Sequence, residues 1–419
     1  MIVRADTVAA TGEHSGRSLE AKLRAAQRRR KLKAVALVAP LFLFIIVVFV
    51  FPILSILYHS VDDPKLPLIL PRTAEVVAQW DGGALPDEAA YEALVNDLRD
   101  AYEAKTAAVI GMRLNYEISG FRSMVMRTAR RAKRIEEPPY QASLIGLDVR
   151  WGEIEYWRAI KASSGPFTTR NLLAAVDLER RWDGSVGRAP PERTIYITYL
   201  TRTFWISLWV LVYCIAIGYP MAYLIATTTS QRLSRILLVL VLIPFWTSLL
   251  VRTAAWVVLL RSEGIINDFL VNVGMISEPL SLIFNRIGVY IAMVHILLPF
   301  LVLPLYAVMR NIPDSHMRAA GALGARPGAA FLSVELPQTL PGLAAGSLLV
   351  LILALGFYIT PALVGGASDQ MLGYLIAEFA TRSGNWGMSS AVGVLLLLGV
   401  AVLYPVYRAL LGRGAIRLV

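Results

Sequence analysis

MRNIPDSHMRAAGALGARPGAAFLSVELPQTLPG, residues 309–342, is a polar, helix-forming stretch set between two long apolar runs. Its first part, Met317–Leu323, is rich in Ala, which gives up no side-chain entropy in a helix. Pro313 and Asp314 supply a start signal, while Gly324 and Pro327 interrupt the run, so the pattern predicts a helix–turn–helix elbow. Gly324 is the expected turn residue, because glycine reaches positive φ without strain. Leu336-Pro337 is expected to end the second piece. The hairpin, residues 310–342, is too polar to cross a bilayer, yet both its ends join segments that do. Such a hairpin is built to dock onto something outside the membrane.

Working outward, the 419-residue chain is 56% hydrophobic with a mean hydropathy of +0.56, far from a soluble globular composition. Apolar runs of about 18 or more residues read as membrane spans. Six qualify: 34–58, 201–227, 236–260, 287–309, 342–361 and 389–411. The first is too long for a signal-peptide core and reads as a retained anchor. Lys and Arg in short flanking segments set orientation. They gather in the tail 1–33 (Arg28, Arg29, Arg30, Lys31), at Arg232 and Arg235, in the hairpin (Arg310, Arg318, Arg326) and in the final segment (Arg408, Arg413, Arg417). Six spans put all four segments on one side, hence the cytoplasm, with both termini, 1–33 and 412–419, inside. The formal charge of +11 is therefore mainly a topology signal, and no basic soluble module for nucleic acid is present. Residues 1–33 read as a solvated tail with a basic collar against lipid headgroups. The single cysteine, Cys214, lies within a span and offers neither a disulfide framework nor a metal cluster.

Residues 61–194 are soluble in composition and near charge balance, and fall outside the cytoplasm. The basic cluster Arg127, Arg130, Arg131, Lys133 and Arg134 is compatible with that side, because long loops translocate largely regardless of charge. Tyr91, Leu94, Val95, Leu98 and Tyr102 mark one face of a helix over 87–108, and Pro138-Pro139 divides the segment. Trp151, Trp157, Leu172, Leu173 and Trp182 give its second part apolar material, so an inserted domain with a modest core is expected. Between the third and fourth spans, Ile265, Ile266, Phe269, Leu270 and Val273 sit at helical spacing, predicting a short interfacial helix.

Ala319, Ala320, Gly324 and Leu336-Pro337 resemble the EAA loop of the permease subunits of binding-protein-dependent ABC importers, with Arg318 where that family carries its leading Glu. Further segments resemble spermidine/putrescine permeases in particular: Ile243–Thr247 (IPFWT), Ser262–Asn267 (SEGIIN), Leu298–Pro304 (LPFLVLP), and Gly356–Pro361 (GFYITP) followed by Leu363–Gly366 (LVGG). The resemblance covers roughly residue 201 to the end, plus the first span. It implies an all-α membrane protein of six transmembrane helices, with a type I ABC importer permease core at 201–411. A large extracytoplasmic insertion, 61–194, separates the first two spans. It also implies coupling to an ATPase through Arg318, Ala319, Ala320, Gly324, Leu336 and Pro337. The implied partners are two ATPase subunits that bind ATP and Mg, a second permease (a heterodimer), an extracytoplasmic solute-binding protein and membrane lipid. The implied place is a bacterial inner membrane.

The residues independently leave the chain without a motor. No GxxxxGK(S/T) phosphate loop, CxxC or HExxH occurs, so no enzyme, cofactor or metal site is expected in this chain. His295 in the fourth span reads as hydrogen-bonded to a neighbouring helix. The span cores hold essentially no Asp or Glu, against the acidic relay usual in secondary transporters; Arg252 is the exception and is expected to snorkel outward. A polyamine crossing such a path would need aromatic faces, each cation–π contact contributing on the order of 0.5–2 kcal/mol. The candidates are Trp246, Trp256, Tyr290, Phe357 and Tyr358, with Glu263, Asp268, Asp369 and Glu378 at the outer mouth. Other readings are a permease of the same family for an opine, an amino-acid derivative or an iron complex, an ATP-independent channel or facilitator, and a sensor using residues 61–194.

Overall fold

The computed structural model describes residues 27, 30, 31, 33–181 and 184–415. Arg28, Arg29, Trp182 and Arg417 lie outside them, as do the side chains of Arg408 and Arg413 and most of the tails 1–33 and 412–419. The chain divides into two units, residues 1–58 and 59–419.

In the first unit, the helix Lys33–Val61 begins and runs 29 residues in all, with a mean hydropathy of 3.1 over its most apolar window and none of that window buried. Phe42, Phe44 and Phe49 are all exposed, as expected of side chains whose solvent is lipid. A π-helical turn, Ile46–Val50, widens it just before Pro52.

The second unit has a helical span-bearing part. Its centre is Arg286–Met309, packed against Tyr196–Thr227 and against Pro327–Leu355. Ile206, Val210, Cys214, Met293, Leu297, Val350 and Ala354 are buried where the three meet. Gly346 makes the approach possible: a Cβ there would stand 2.9 Å from the Leu301 carbonyl oxygen. Small residues are how lipid-embedded helices come close, since burial from water does not drive them together. Trp386–Ala415 completes the long helices, its first 20 residues qualifying as a span.

Two spans differ from the sequence expectation. The third, expected at 236–260, is a bent pair: Gln231–Leu242 runs into a 3-10 turn, Ile243–Trp246, and Leu249–Leu259 leaves at 102°. Pro244 has no N–H to continue the first helix, and Ser248 caps the second by accepting from the Val251 amide at 3.2 Å. Gln231–Leu242, at 12 residues, is only about 18 Å long, against a hydrocarbon layer of about 30 Å. Among the described residues there are thus five long apolar helices and this pair, which together make up to six spans. The fifth span, expected at 342–361, runs instead over Pro327–Leu355, so Leu336-Pro337 lies inside a continuous helix and does not end the hairpin's second piece. A π turn, Phe331–Glu335, precedes Pro337, and its wider pitch accommodates a residue with no N–H to give. The helix stops at Gly356, and Ile359–Val364 forms a separate short helix.

Residues 61–194 fold around a core of their own. Tyr91, Phe121, Trp151 and Trp157 are fully buried, with Tyr91 and Trp157 edge-to-face at 4.6 Å. Each polar tip is satisfied: the Tyr91 hydroxyl and the Trp157 indole N–H donate to the Trp151 carbonyl, and the Trp151 indole N–H donates to Thr128 Oγ1. The helix expected over 87–108 ends at Glu103, because Lys105 takes a φ of 58° before a new helix, Ala107–Asn115. Tyr102, counted on its apolar face, is 38% exposed. The ribbon Leu178–Arg180/Val186–Arg188 is the one β-sheet among the described residues.

The inserted segment is tied to the spans. Leu172 belongs with Leu372, Met388 and Val392 rather than with the insertion core. Asp177 accepts from the amides of Tyr196 and Ile197, capping the second span, and the Tyr116 hydroxyl donates to the Ser383 carbonyl at 2.9 Å. A chain of charges, Asp63–Arg113–Glu117–Arg170, joins parts of the inserted segment, with Arg113 only 5% exposed and Arg170 half-buried. Two cavities of about 350 and 440 Å³ flank it and share Tyr116, Arg170, Asn171 and Asn385.

Candidate functional site

The hairpin begins with the helix Ser315–Ala322. Gly324, at φ +86°, turns the chain, and the Ala325 amide closes the turn onto the Ala320 carbonyl at 3.0 Å. A left-handed residue directly after a helix is the usual glycine stop. Pro327 then opens the next helix at its first position, where its missing N–H costs nothing. Arg318, Ala319, Gly324 and Pro337 are exposed, Leu336 is half-buried, and Ala320 is buried against the returning arm. Leu323, at the tip, is 90% exposed and Leu332 is 62% exposed. The elbow therefore presents a small apolar tip on a stiff base. Arg318 forms no ion pair among the described residues.

Sequence reasoning missed what fastens this elbow. His316 Nδ1 meets Gln338 Oε1 at 2.8 Å, joining the two arms. The Phe331 ring stands almost perpendicular to Tyr219 and Tyr223, at 6.2 and 5.7 Å, and the Tyr219 hydroxyl is hydrogen-bonded to Thr339 Oγ1 at 3.0 Å. Tyr219 and Tyr223, one helical turn apart, are the signal that was available in the sequence. The returning arm is thus both part of a span and braced against another.

Of the candidate pathway aromatics, the structure brings three to one cluster: Trp256, Tyr290 and Phe357 all pack on the core around Met293 and Leu355. The Trp256 indole N–H donates to His295 Nδ1 at 3.2 Å, giving His295 the interhelical bond expected of it. Tyr290 touches Tyr213 and so continues a ladder, Trp205–Trp209–Tyr213, along one side of the second span. Trp246, in the bend of the third span, is 73% exposed, and Tyr358 is 40% exposed; neither joins that cluster. Thr253 and Thr360 link the second arm of the bent pair to the short helix Ile359–Val364 at 3.1 Å. Arg252, expected to snorkel, has a buried Nε with no hydrogen-bond partner.

The four outer-mouth carboxylates separate in the same way. Glu263 and Asp268 are exposed. Asp369 is 3% exposed, accepts from Arg286 Nε at 2.9 Å and from the Gly366 amide, and so pins the start of the fourth span to the last loop. Glu378 pairs with Arg382 one turn on, at 3.5 Å.

Residues 217–414, which hold the bent pair, the elbow and three of the long helices, match the family described as binding-protein-dependent transport system inner membrane component. The spermidine/putrescine transport system permease protein PotB of Haemophilus influenzae is 38% identical over 194 residues, covering 46% of this chain and 68% of that one. PotB of Escherichia coli K12 is 32% identical over 213 residues, covering 51% and 77%. A chain of the inward-facing MetNI methionine ABC transporter aligns with a TM-score of 0.43 at 18% identity, over 54% of this chain and 99% of that one. With 68% and 77% of two PotB permeases covered at 38% and 32% identity, this chain belongs to the inner-membrane permease components of binding-protein-dependent ABC transport systems.

Proposed function

We propose that the chain is the permease subunit through which an ATP-driven importer takes up a polyamine of the spermidine/putrescine class. The observation that carries the reading is the 38% and 32% identity to two spermidine/putrescine permeases, beside a family match over 217–414, the residues that hold the bent pair and the elbow. In this reading the elbow faces the cytoplasm and its apolar tip, Leu323, enters a cleft on an ATPase subunit. ATP closes the ATPase pair, the elbow moves, and Phe331 with Tyr219 and Tyr223 carries the displacement into the spans. Both termini are cytoplasmic, residues 61–194 lie outside, and a solute-binding protein delivers the substrate. A second permease completes the pathway, and ATP and Mg are bound by the ATPase.

The substrate's charges require partners, since an unpaired ammonium in a low-dielectric path is costly. Trp256, Tyr290 and Phe357 supply aromatic faces around one core cluster, and Trp246 and Tyr358 supply exposed ones. Glu263 and Asp268 are the carboxylates open to receive a cation at the outer mouth, while Asp369 and Glu378 are engaged with arginines. The test is uptake of labelled spermidine by the complete importer in proteoliposomes, competed by putrescine, an opine and an iron complex. Competition by putrescine alone supports the polyamine reading; competition by the opine or the iron complex alone replaces it.

A further inference from the structure

We infer that the helix Phe121–Arg131, with its 3-10 extension Ala132–Arg134, is the surface on which the acidic face of the solute-binding protein docks. The inference rests on the import reading above. The helix is divided cleanly. Phe121, Met124, Val125, Thr128 and Ala129 recur at helical spacing and are buried, whereas Arg122, Arg127, Arg130 and Arg131 occupy the opposite, exposed side. Lys133 and Arg134 extend the exposed face. Arg127 is paired with Asp148, and Lys133 with Glu103. The other four arginines form no ion pair among the described residues, neighbouring Glu136 and Glu137 included.

The sign of this face decides what it can meet. It repels a polyamine, so it does not gather substrate; it attracts an anionic surface. Its place in the fold favours a protein over lipid headgroups. The helix packs on Glu88–Glu103, Ala107–Asn115 and Tyr140–Leu147, all within the inserted segment, whereas contact with the last span is made by Arg170–Ala175, a different element. Five of the six cations are arginine, whose planar fork matches carboxylates two bonds at a time; lysine would serve equally well for charge alone.

The test places the complete importer in neutral-lipid nanodiscs and follows association of its own purified, solute-loaded binding protein as salt is varied. Wild-type kon falls as salt rises, and R130E/R131E/R134E lowers low-salt kon by about tenfold with little change in koff. The matching Arg→Lys variant retains most of the association, and single R130E and R134E variants give the same direction if the triple one misfolds. A kon that ignores both salt and charge reversal overturns the inference. So does flotation with phosphatidylglycerol vesicles that depends on these arginines while binding-protein kon does not. Polyamine uptake by the wild type separates the two readings: absent uptake fails the import reading, and normal uptake with charge-insensitive docking fails only this one.

Discussion

Gly324 holds a backbone conformation that a side chain resists, at φ +86° with open space around its Cβ position. Gly324→Val therefore costs roughly 1–3 kcal/mol of local backbone strain without any clash, and a β-branched residue is the worst tenant of that region. The expected outcome is a protein that still inserts but whose elbow exchanges amide protons faster over residues 315–330. Hydrogen-exchange mass spectrometry checks this, and unchanged protection there would count against it. Asp148 offers a residue-scale test in the inserted segment. Arg150 beside it, bonded at 2.7–2.8 Å, holds its carboxyl below the ordinary Asp range. A depressed folded pKa means stability that is present above the unfolded value of about 4 and is lost as pH falls through the folded one. Asp97 acts in the opposite direction, because burial raises it. Asp148→Asn, which leaves Arg127 and Arg150 without their carboxylate, should cost roughly 2 kcal/mol at neutral pH and progressively less as pH falls below about 4, so the loss at pH 3 should be the smaller one. Thermal midpoints followed by tryptophan fluorescence at the two pH values give the comparison; an equal loss at both would refute the assignment.

At the scale of elements, the bend in the third span and the brace on the elbow each follow from one residue type in one place. Pro244→Ala restores an N–H and lifts a helix penalty of about 3 kcal/mol, so Gln231–Leu259 should straighten. Spin labels near residues 240 and 256 would then move apart relative to the wild type, and an unchanged distance would place the cause of the bend elsewhere. Phe331→Ala removes the ring wedged against Tyr219 and Tyr223. It should leave ATP hydrolysis by the assembled importer within about twofold and lower uptake by about tenfold, an effective loss near 1.4 kcal/mol in coupling; a fall in both rates together would make Phe331 a folding residue instead. These two elements also mark where the sequence was and was not legible. Ala-richness, Gly324 and Pro327 announced the elbow because each acts locally. The bend was hidden because Pro244 sits in an apolar run whose hydropathy alone reads as one helix. Leu336-Pro337 misled for the complementary reason: a π turn, which leaves no mark in composition, lets the helix pass through the proline.

At the scale of the whole molecule, the spans were legible because lipid demands long apolar runs, and the insertion because it breaks that demand. What the sequence could not display is assembly across distance. Asp369 looked like a mouth carboxylate and proved to be a buried clamp on Arg286, and Leu172 left the insertion core for the last span. Trp256 and Tyr290 from two helices, and Phe357 from the break after Leu355, pack on one cluster, a convergence that no single stretch of chain announces. In the proposed division of labour this chain supplies a path and a handle, and force comes from another protein through that handle. The most direct measurement is spermidine uptake into proteoliposomes holding all permease and binding-protein components, with and without the ATPase subunits and ATP. Accumulation is expected only when ATPase and ATP are both present, and equal uptake in their absence would overturn that division of labour.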